Sequence, residues 1–402
     1  MTEVCHPQSE AEAAGLVRAH AQAGRPLALL GSNSRSGFGY GVAAPVLSSA
    51  RLSGIVSYHP AELTMTVRSG TPLAEIEALL SDNGQTLAFE PCDHRAMMGT
   101  RGEPTIGGVF AANVSGPRRF VAGAARDHLL GIRFVNGMGD VVKSGGRVMK
   151  NVTGLDLVKV LTGSYGTLGF ITELTVKLQA KAKAAATVVL SGLNDAEAAH
   201  AMAAAMRMSV EVSGAAHLPM SVAGRFLMNQ LPSGPATVLR LEGLPESVAV
   251  RQQTLVDAMS TFGPVTRLDA MQTGVLWSEI RDVLPFTFAL DKPLWRVSVA
   301  PMAGHQLLSA LRLETGVDAY FDWQGGLLWL QMEAGAEADL VRRYIRHVGG
   351  GHATLIRASA KDRATTAPFE PQTPAIVALS QRIKSKFDPK GIFNPGRMGE
   401  VV

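Results

Sequence analysis

The sequence has little cysteine and no long apolar run, and both absences narrow the classes of protein it can belong to. Cys5 and Cys92 are the only cysteines among 402 residues, which excludes a disulfide framework and an iron–sulfur cluster ligated by this chain alone. No run of about 18 uncharged apolar residues occurs, and the N-terminal stretch MTEVCHPQSE lacks the basic and apolar regions of a signal peptide. We therefore expect a cytoplasmic protein.

A strong charge of either sign is also lacking. The 38 basic and 34 acidic residues leave a net charge of +4, which is too small to argue for a nucleic-acid partner. The basic excess lies near the C-terminus, where it predicts either a solvated helix surface or a docking surface for a partner or an anionic membrane. Its residues include Arg342, Arg343, Arg346, Lys384, Lys386 and Lys390.

Local patterns predict an α+β chain of at least two domains, because 402 residues exceed the usual size of one core. Residues 9–23 predict an amphipathic helix, with Ser9 as its N-cap and Gly24 as its C-cap. Residues 54–70 predict two paired strands, and residues 136–139, Asn-Gly-Met-Gly, predict a turn between two more.

The amino-acid composition changes near residue 181, after which the sequence predicts Ala- and Met-rich helices and separate strands. We expect a second α+β domain there, with Met202, Met206 and Met208 packed in its core. No internal repeat of fixed period is evident.

Two glycine-containing loops, GSNSRSGFGYG at 31–41 and TIGGVFAANVSGP at 105–117, carry few bulky side chains. Glycine allows a ligand close to the backbone, and successive exposed amides bind anions without lysine. Neither loop is a Walker loop or a GxGxxG turn between a strand and a helix. Two such loops in one domain would suit a diphosphate that bridges two subdomains.

The order of motifs resembles the FAD-binding domain of the vanillyl-alcohol oxidase and p-cresol methylhydroxylase (PCMH) type. The motifs are GSNSRSG, TIGGVFAANVSGP, KNVTGLDLVKVLTGSYGTLGFITELTVKL and FDPKGIFNPGRM. Two further stretches, FDWQGGLLWL and GGHATLIRA, extend the likeness beyond this domain. With them the chain is similar to the smaller FAD-binding subunit of bacterial glycolate oxidase.

The resemblance implies an α+β fold in which a two-subdomain PCMH-type FAD-binding domain carries an inserted α+β cap domain. The expected boundaries are 1–182 for the FAD-binding domain, 183–350 for the cap, and 351–402 for a C-terminal segment that returns to the first domain. It also implies noncovalent FAD, because the first loop has no histidine and Cys92 lies thirteen residues before Thr105.

Cofactor-binding residues follow from the same motifs. Gly107 or Gly108 changed to a branched residue should block FAD uptake without a large loss of folded protein. The residues implied by the resemblance are Gly31, Ser32, Asn33, Ser34, Arg35, Ser36, Pro91, Thr105, Ile106, Gly107, Gly108, Asn113, Ser115, Gly116, Gly123, Gly166, Thr167, Leu168, Gly169, Ile171 and Asn394.

Oxidation of a 2-hydroxy acid needs a group that takes the hydroxyl proton, a cation that holds the carboxylate, and a flavin that accepts the hydride. His352 and Arg357 are the candidates near the return to the first domain, with Arg357 as a bidentate carboxylate clamp, and Trp323 as a residue stacked near the ring. The alternative is that these residues support the cap or a subunit interface. The cap histidines lack a metal-ligand spacing, so no metal site is predicted.

The resemblance implies an FAD subunit of a heteromeric complex that oxidises glycolate, a small 2-hydroxy acid, to glyoxylate. Electrons would pass from the flavin to an iron–sulfur subunit, with a second FAD-binding subunit as a further partner and peripheral association with the inner face of the cell membrane through the complex. The alternative is a non-catalytic structural or electron-relay FAD subunit of the same complex. A cell-wall enolpyruvyl sugar reductase is disfavoured by the Asn-Pro-Gly tail and the long cap.

Overall fold

The computed structural model describes residues 3–147 and 155–399. Residues 150–154 of the KNVTGLDLVKV motif therefore lie outside the described residues. No helix within the described ranges is both long and apolar enough to cross a membrane.

Two main sheets organise the N-terminal part of the chain. One is a small parallel sheet with the order β1-β3-β2, and the other is a five-stranded antiparallel sheet with the order β4-β5-β9-β7-β8, while β6 pairs with β10. The strands are β1 Val4–Cys5, β2 Ala28–Leu30, β3 Val46–Ser48, β4 Ile55–His59, β5 Thr64–Arg68, β6 Gln85–Thr86, β7 Leu129–Val135, β8 Val141–Gly145, β9 Phe170–Lys177 and β10 Gln179–Ala180.

Six helices accompany these sheets in the described part of this half, and the first begins and ends where the sequence predicts. Ser9 Oγ accepts a hydrogen bond from Glu12 N at 3.2 Å, and Gly24 closes the helix with φ +61°. The helices are α1 Glu10–Ala23, α2 Leu73–Asp82, α3 Arg95–Met98, α4 Ile106–Ala111, α5 Arg119–Ala122 and α6 Leu157–Leu161.

Both predicted hairpins are confirmed. β4 and β5 pair antiparallel around the turn at Pro60–Glu62. β7 and β8 pair around a turn in which Asn136 Oδ1 accepts hydrogen bonds from Met138 N and Asp140 N, both at 2.9 Å. In both hairpins the residues of the turn determine how the two strands pair, so the pairing depends on residues close together in the sequence.

A single eight-stranded sheet organises the next part of the chain. Its order is β14-β11-β13-β12-β16-β17-β15-β18. The strands are β11 Ala184–Ser191, β12 Val212–Leu218, β13 Ala236–Gly243, β14 Val265–Leu268, β15 Leu294–Val299, β16 Val317–Asp322, β17 Leu327–Met332 and β18 Gly351–Arg357.

This sheet consists of two successive units with the same order of elements, β-α-β-β-α-β. The first unit is β11-α7-β12-β13-α9-β14 and the second is β15-α11-β16-β17-α12-β18, and their edge strands β12 and β16 meet at His217 and Phe321. The sequence shows no repeat because strand alternation and element length, not residue identity, determine this topology. The helices are α7 Asp195–Met206, α8 Met220–Ala223, α9 Pro245–Met259, α10 Ala270–Arg281, α11 Gly304–Glu314 and α12 Ala338–His347.

The sheet extends past residue 350, so the expected end of the cap is wrong by one strand: β18 pairs with β15 and belongs to the sheet. Two helices follow, α13 Ala360–Thr365 and α14 Pro374–Phe387. The last residues then return to the N-terminal half, where Phe393 bridges to Leu27 and Lys384 Nζ donates to Thr167 O at 2.6 Å.

Candidate functional site

A cleft in the structure consists of two adjacent chambers. The first has about 740 Å³ of empty space, part of it open to solvent, and lies within the N-terminal half between the end of β2, the first turn of α4 and the start of β9. The second has about 540 Å³ of such space and lies between the N-terminal half and strands β15 to β18. Phe38, Ala112 and Tyr165 line both chambers.

The first chamber is formed largely by the two glycine-containing loops. A Cβ atom on Gly31 would lie 2.5 Å from Thr105 Oγ1, so only glycine allows these loops to approach so closely. The cofactor residues predicted from the sequence that line this chamber are Gly31, Ser32, Asn33, Ser34, Arg35, Ser36, Thr105, Gly107, Gly108, Gly166, Gly169 and Ile171.

Arg35 brings a buried positive charge to the first chamber. Its Nε donates to His94 Nδ1 and its Nη2 to the carbonyl of Cys92, both at 3.2 Å. Its Nη1 is buried and has no hydrogen-bond partner among the residues that the structure describes. Burial lowers the pKa of Arg35, and a buried guanidinium with a free donor calls for an anionic ligand.

His94, which the sequence analysis missed, lies where the chambers meet. His94 Nδ1 lies 3.2 Å from Arg35 Nε and 3.1 Å from the carbonyl oxygen of Cys92. Burial, followed by the nearby charge of Arg35, holds the pKa of His94 well below its usual value, so the ring is neutral. His94 lines the second chamber, where its ring can form a hydrogen bond with a bound group.

One face of the eight-stranded sheet covers the second chamber. Strand register places Arg296 opposite both Trp329 and Thr354, and Asp322 opposite Leu327. All five residues line the chamber. The sequence carries one signal that could have indicated Arg296 and Asp322. Each is a charged residue within a largely apolar strand, LWRVSV for Arg296 and VDAYFD for Asp322.

Arg296 lies against the ring of Trp323, which also contacts Arg119. The guanidinium carbons of Arg296 and Arg119 lie 4.9 Å and 4.4 Å from the Trp323 ring centroid. Arg296 makes no hydrogen bond or ion pair with any other described residue. Burial, followed by the charge of Arg119, lowers the pKa of Arg296 to about 10, as expected for a cation without a partner.

Asp322 is the buried carboxyl group of the second chamber, with 2% of its surface exposed. Its Oδ1 accepts a hydrogen bond from Trp323 N at 2.7 Å. Burial raises the pKa of Asp322 to about 7, although this hydrogen bond and the charges of Arg240 and Arg296 oppose the shift. The group therefore changes charge near neutral pH.

None of the three residues predicted for catalysis lines either chamber. Arg357 donates to the carbonyls of Met97, Phe286, Ala289 and Lys292. Four of its five N–H donors are therefore used, and one donor cannot form the predicted bidentate carboxylate clamp, so that prediction is wrong.

Trp323 is buried, donates from Nε1 to Gly116 O at 2.9 Å, and is covered by two arginines. It does not line either chamber. His352 lies at the outer end of β18, opposite Ser298. Burial of its ring, followed by the charges of Arg296 and Arg119, lowers the pKa of His352.

Several predicted cofactor residues lie beside the cleft rather than on it. Asn394 is fully buried; its Oδ1 accepts from Leu29 N and its Nδ2 donates to Tyr165 O, both at 2.8 Å, so it positions two residues that line the cleft. Asn113, Ser115 and Gly116 do line the second chamber. The predicted residues that line neither chamber are Pro91, Ile106, Gly123, Thr167, Leu168 and Asn394.

The expectation for Gly107 is wrong on steric grounds. A Cβ on Gly107 would lie 2.7 Å from the carbonyl oxygen of Ser69, so a side chain there collides with backbone. A Cβ on Gly108 would lie 3.3 Å from Thr105 Oγ1 and 3.4 Å from Arg35 Nη1, on the cleft side. The two adjacent glycines therefore serve different purposes.

Residues 2–145 match a family model described as an FAD binding domain. The chain is 35% identical over 380 residues to glycolate oxidase subunit GlcE of Escherichia coli (strain K12), an alignment that covers 93% of this chain and 92% of that protein. It is 33% identical over 144 residues to glycolate oxidase subunit GlcD of Bacillus subtilis (strain 168), which covers 36% of this chain and 29% of that protein. The crystal structure of p-cresol methylhydroxylase with substrate bound has a TM-score of 0.69 at 16% identity, over 98% of this chain and 88% of that chain, and shares its fold.

Proposed function

Because the chain belongs to the family of the glycolate oxidase subunit GlcE and is an FAD-binding flavoprotein, we propose that it is the FAD subunit of a complex that oxidises glycolate to glyoxylate. The observation that carries the proposal is a pair of adjacent chambers, each lined by an arginine with no anionic partner among the described residues, Arg35 in the first and Arg296 in the second. FAD carries a diphosphate and a 2-hydroxy acid carries a carboxylate, so the two ligands together would supply one anion for each arginine.

The residues of the first chamber fit the diphosphate of FAD. The first turn of α4 has only hydrogen atoms as side chains at Gly107 and Gly108, and Nη1 of Arg35 lies next to Gly108. The amides of Ile106, Gly107 and Gly108 already donate to Thr71 O, Ser69 O and Thr105 Oγ1. Arg35 Nη1 would therefore hold the negative charge, and the absence of a side chain at Gly108 would leave room for it. The second chamber, with Tyr165 and His94 on its walls, would hold the flavin ring.

When bound, FAD supplies the acceptor for two electrons. Side chains of this protein would form the surroundings of the flavin. Leu327, Trp329 and Ile356 give the roof of the second chamber an apolar surface that excludes water, and the neutral ring of His94 offers a hydrogen-bonding group. FAD is noncovalent in this proposal, since burial raises the pKa of the Cys92 thiol well above its usual value and disfavours the reactive thiolate.

In this proposal the electrons leave through another chain. This one has two cysteines, and its described residues contain no group of His, Cys, Asp or Glu able to hold a metal ion. An iron–sulfur subunit is the partner class that fits this composition, with a second FAD-binding subunit beside it and with attachment to the membrane surface through the complex.

A non-catalytic relay role is the second candidate function, and it is favoured by one observation: the predicted carboxylate clamp, Arg357, is occupied by backbone carbonyls. In that case the FAD of this chain would receive electrons from the second flavin subunit.

Anaerobic mixing with glycolate separates the two functions. We expect the visible absorbance of FAD bound to this chain to bleach when glycolate is added to the purified complex, and also when it is added to the FAD-loaded chain alone. L-Malate, a bulkier 2-hydroxy acid, is the control and should bleach the flavin more slowly. Bleaching in the complex but not in the isolated chain would favour the relay role, and no bleaching in either would refute the proposed reaction.

Replacing Arg35 with methionine is expected to weaken FAD binding by about tenfold or more, since the substitution removes a buried cation of the first chamber that has a free donor. The measurement is the dissociation constant of FAD from fluorescence quenching. Acid precipitation should release all FAD from the unmodified chain.

Arg18→Met is the matched control for this prediction. Arg18 donates to Gly139 O at 3.0 Å, outside the cleft, and its loss should leave FAD affinity unchanged. Equal affinities for the Arg35 variant and the unmodified chain would contradict the assignment of Arg35 to the diphosphate. Yellow colour that stays on the denatured polypeptide would contradict noncovalent attachment.

A further inference from the structure

Two charged side chains on the roof of the second chamber remain unexplained by cofactor binding. Strands β15, β16 and β17 place Arg296 and Asp322 on the same face of the sheet, since Arg296 pairs with Trp329 while Asp322 pairs with Leu327, two residues earlier on β17. Both face the second chamber.

The surroundings of Arg296 point to an anion. Its guanidinium has no hydrogen-bonding or ion-pairing partner in residues 3–147 and 155–399, and its nearest charged neighbours include Arg119 across the Trp323 ring. Two cations on one aromatic ring repel each other, and an anion beside them offsets this repulsion. A planar carboxylate matches the geometry of a guanidinium.

Asp322 can accept a proton beside this anion site. Its Oδ1 is held by the Trp323 amide, while Oδ2 makes no hydrogen bond within the described residues, and a carboxylate oxygen of this kind accepts a proton. The charged and titratable groups around it are Arg240 and Arg296, which favour ionisation, and Glu90, which opposes it. Tyr320, on the same strand, is buried and donates its hydroxyl proton to Ile280 O at 2.8 Å, so it does not compete.

We propose that this chain oxidises its substrate itself, with Arg296 holding the carboxylate of a small 2-hydroxy acid and Asp322 accepting the proton of the hydroxyl group. The inference rests on the proposed function. As the hydroxyl O–H bond breaks, its proton goes to Asp322 and its electron pair forms the C=O bond of the 2-oxo acid. The α-hydrogen leaves carbon with the C–H electron pair, and FAD is the two-electron acceptor that this step requires.

The roof also limits the size of the acid. Leu327, Trp329 and Ile356 surround the two charged groups, and the chamber must hold the flavin ring as well as the substrate. These apolar side chains favour a short, unbranched acid over a bulkier one.

Asp322→Asn tests the proton acceptor, because the amide oxygen keeps the hydrogen bond from Trp323 N. We expect glycolate to reduce the FAD of this chain about 100-fold more slowly or worse, with FAD content unchanged. In the unmodified protein kcat/KM should rise with pH through about 7, where Asp322 ionises, and this rising limb should disappear in the variant. Asp318→Asn, on the same strand but ion-paired with Arg225 outside the chamber, should keep both rate and profile.

Arg296→Met tests the anion site with a readout other than turnover. Oxalate carries carboxylates but no C–H bond to lose, so it binds without reaction. We expect oxalate to perturb the visible spectrum of bound FAD, and its dissociation constant to increase about tenfold to 100-fold in Arg296→Met but not in the control Arg225→Met.

The outcomes separate this inference from the proposed function. If the complex containing Asp322→Asn oxidises glycolate at the normal rate, substrate reacts at a partner's flavin and the inference is wrong while the proposed complex stands. Unchanged oxalate binding in Arg296→Met would equally overturn it. If the unmodified complex does not oxidise glycolate at all, the proposed function fails first.

Discussion

Replacing Gly108 with valine is expected to give a folded chain that carries no FAD. A Cβ at this position would meet Thr105 Oγ1 at 3.3 Å and Arg35 Nη1 at 3.4 Å, contacts that small shifts of two side-chain ends relieve. The methyl groups of valine would extend into the first chamber, next to the guanidinium proposed to hold the diphosphate. The cofactor therefore loses its space, while helix propensity in α4 favours valine over glycine by a few tenths of a kcal/mol.

Gly107→Val provides the contrast within the same turn. Its Cβ would collide with the Ser69 carbonyl at 2.7 Å, and backbone cannot move aside as a side chain does. We expect overpacking to cost about 1–3 kcal/mol and to reduce the yield of folded protein. We therefore expect Gly108→Val to lose FAD while it stays folded, and Gly107→Val to lose folded protein.

The measurements are the FAD-to-protein absorbance ratio and the Tm of each variant. Gly15→Val in α1 is the control, because no atom lies within 4 Å of a Cβ there, and it should keep FAD. Stoichiometric FAD in Gly108→Val would contradict the placement of the diphosphate beside α4.

Features set by neighbours in the sequence could be predicted from it. The Ser9 cap, the Gly24 end of α1 and the turn at Asn136 each depend on contacts within a few residues, and the order of motifs indicated both the FAD-binding fold and the family. The two glycine loops that line the first chamber were found for the same reason.

Features set by strand pairing and burial could not be predicted from the sequence. Arg296 and Asp322 are 26 positions apart, and only the register of β15, β16 and β17 brings them to one chamber. Arg357 looked like a free cation in the sequence, but burial required its donors to find carbonyls from distant loops. Asn394 was assigned to the cofactor, although its amide instead joins Leu29 to Tyr165.

Replacing Arg240 with methionine is expected to be the most destabilising single substitution discussed. Arg240 on β13 is 4% exposed and forms a bidentate pair with Glu90 of the N-terminal half, with N–O distances of 2.9 Å and 3.0 Å. Its Nε lies 3.3 Å from Glu242. The variant would leave two carboxylates in a low-dielectric region without this cation, and loss of one partner of a buried pair costs about 3–5 kcal/mol.

The same substitution should change the titration of Asp322, because Arg240 is one of the charges that lower its pKa against the effect of burial. Without that charge the pKa rises further above about 7, so the rising limb of kcat/KM moves to higher pH. Arg225→Met is the matched control: its pair with Asp318 has side chains 37% and 32% exposed, and its loss should cost about 1 kcal/mol or less. Urea unfolding of the two variants gives both free energies, and equal losses would show that Arg240 does not join the two halves of the molecule through Glu90.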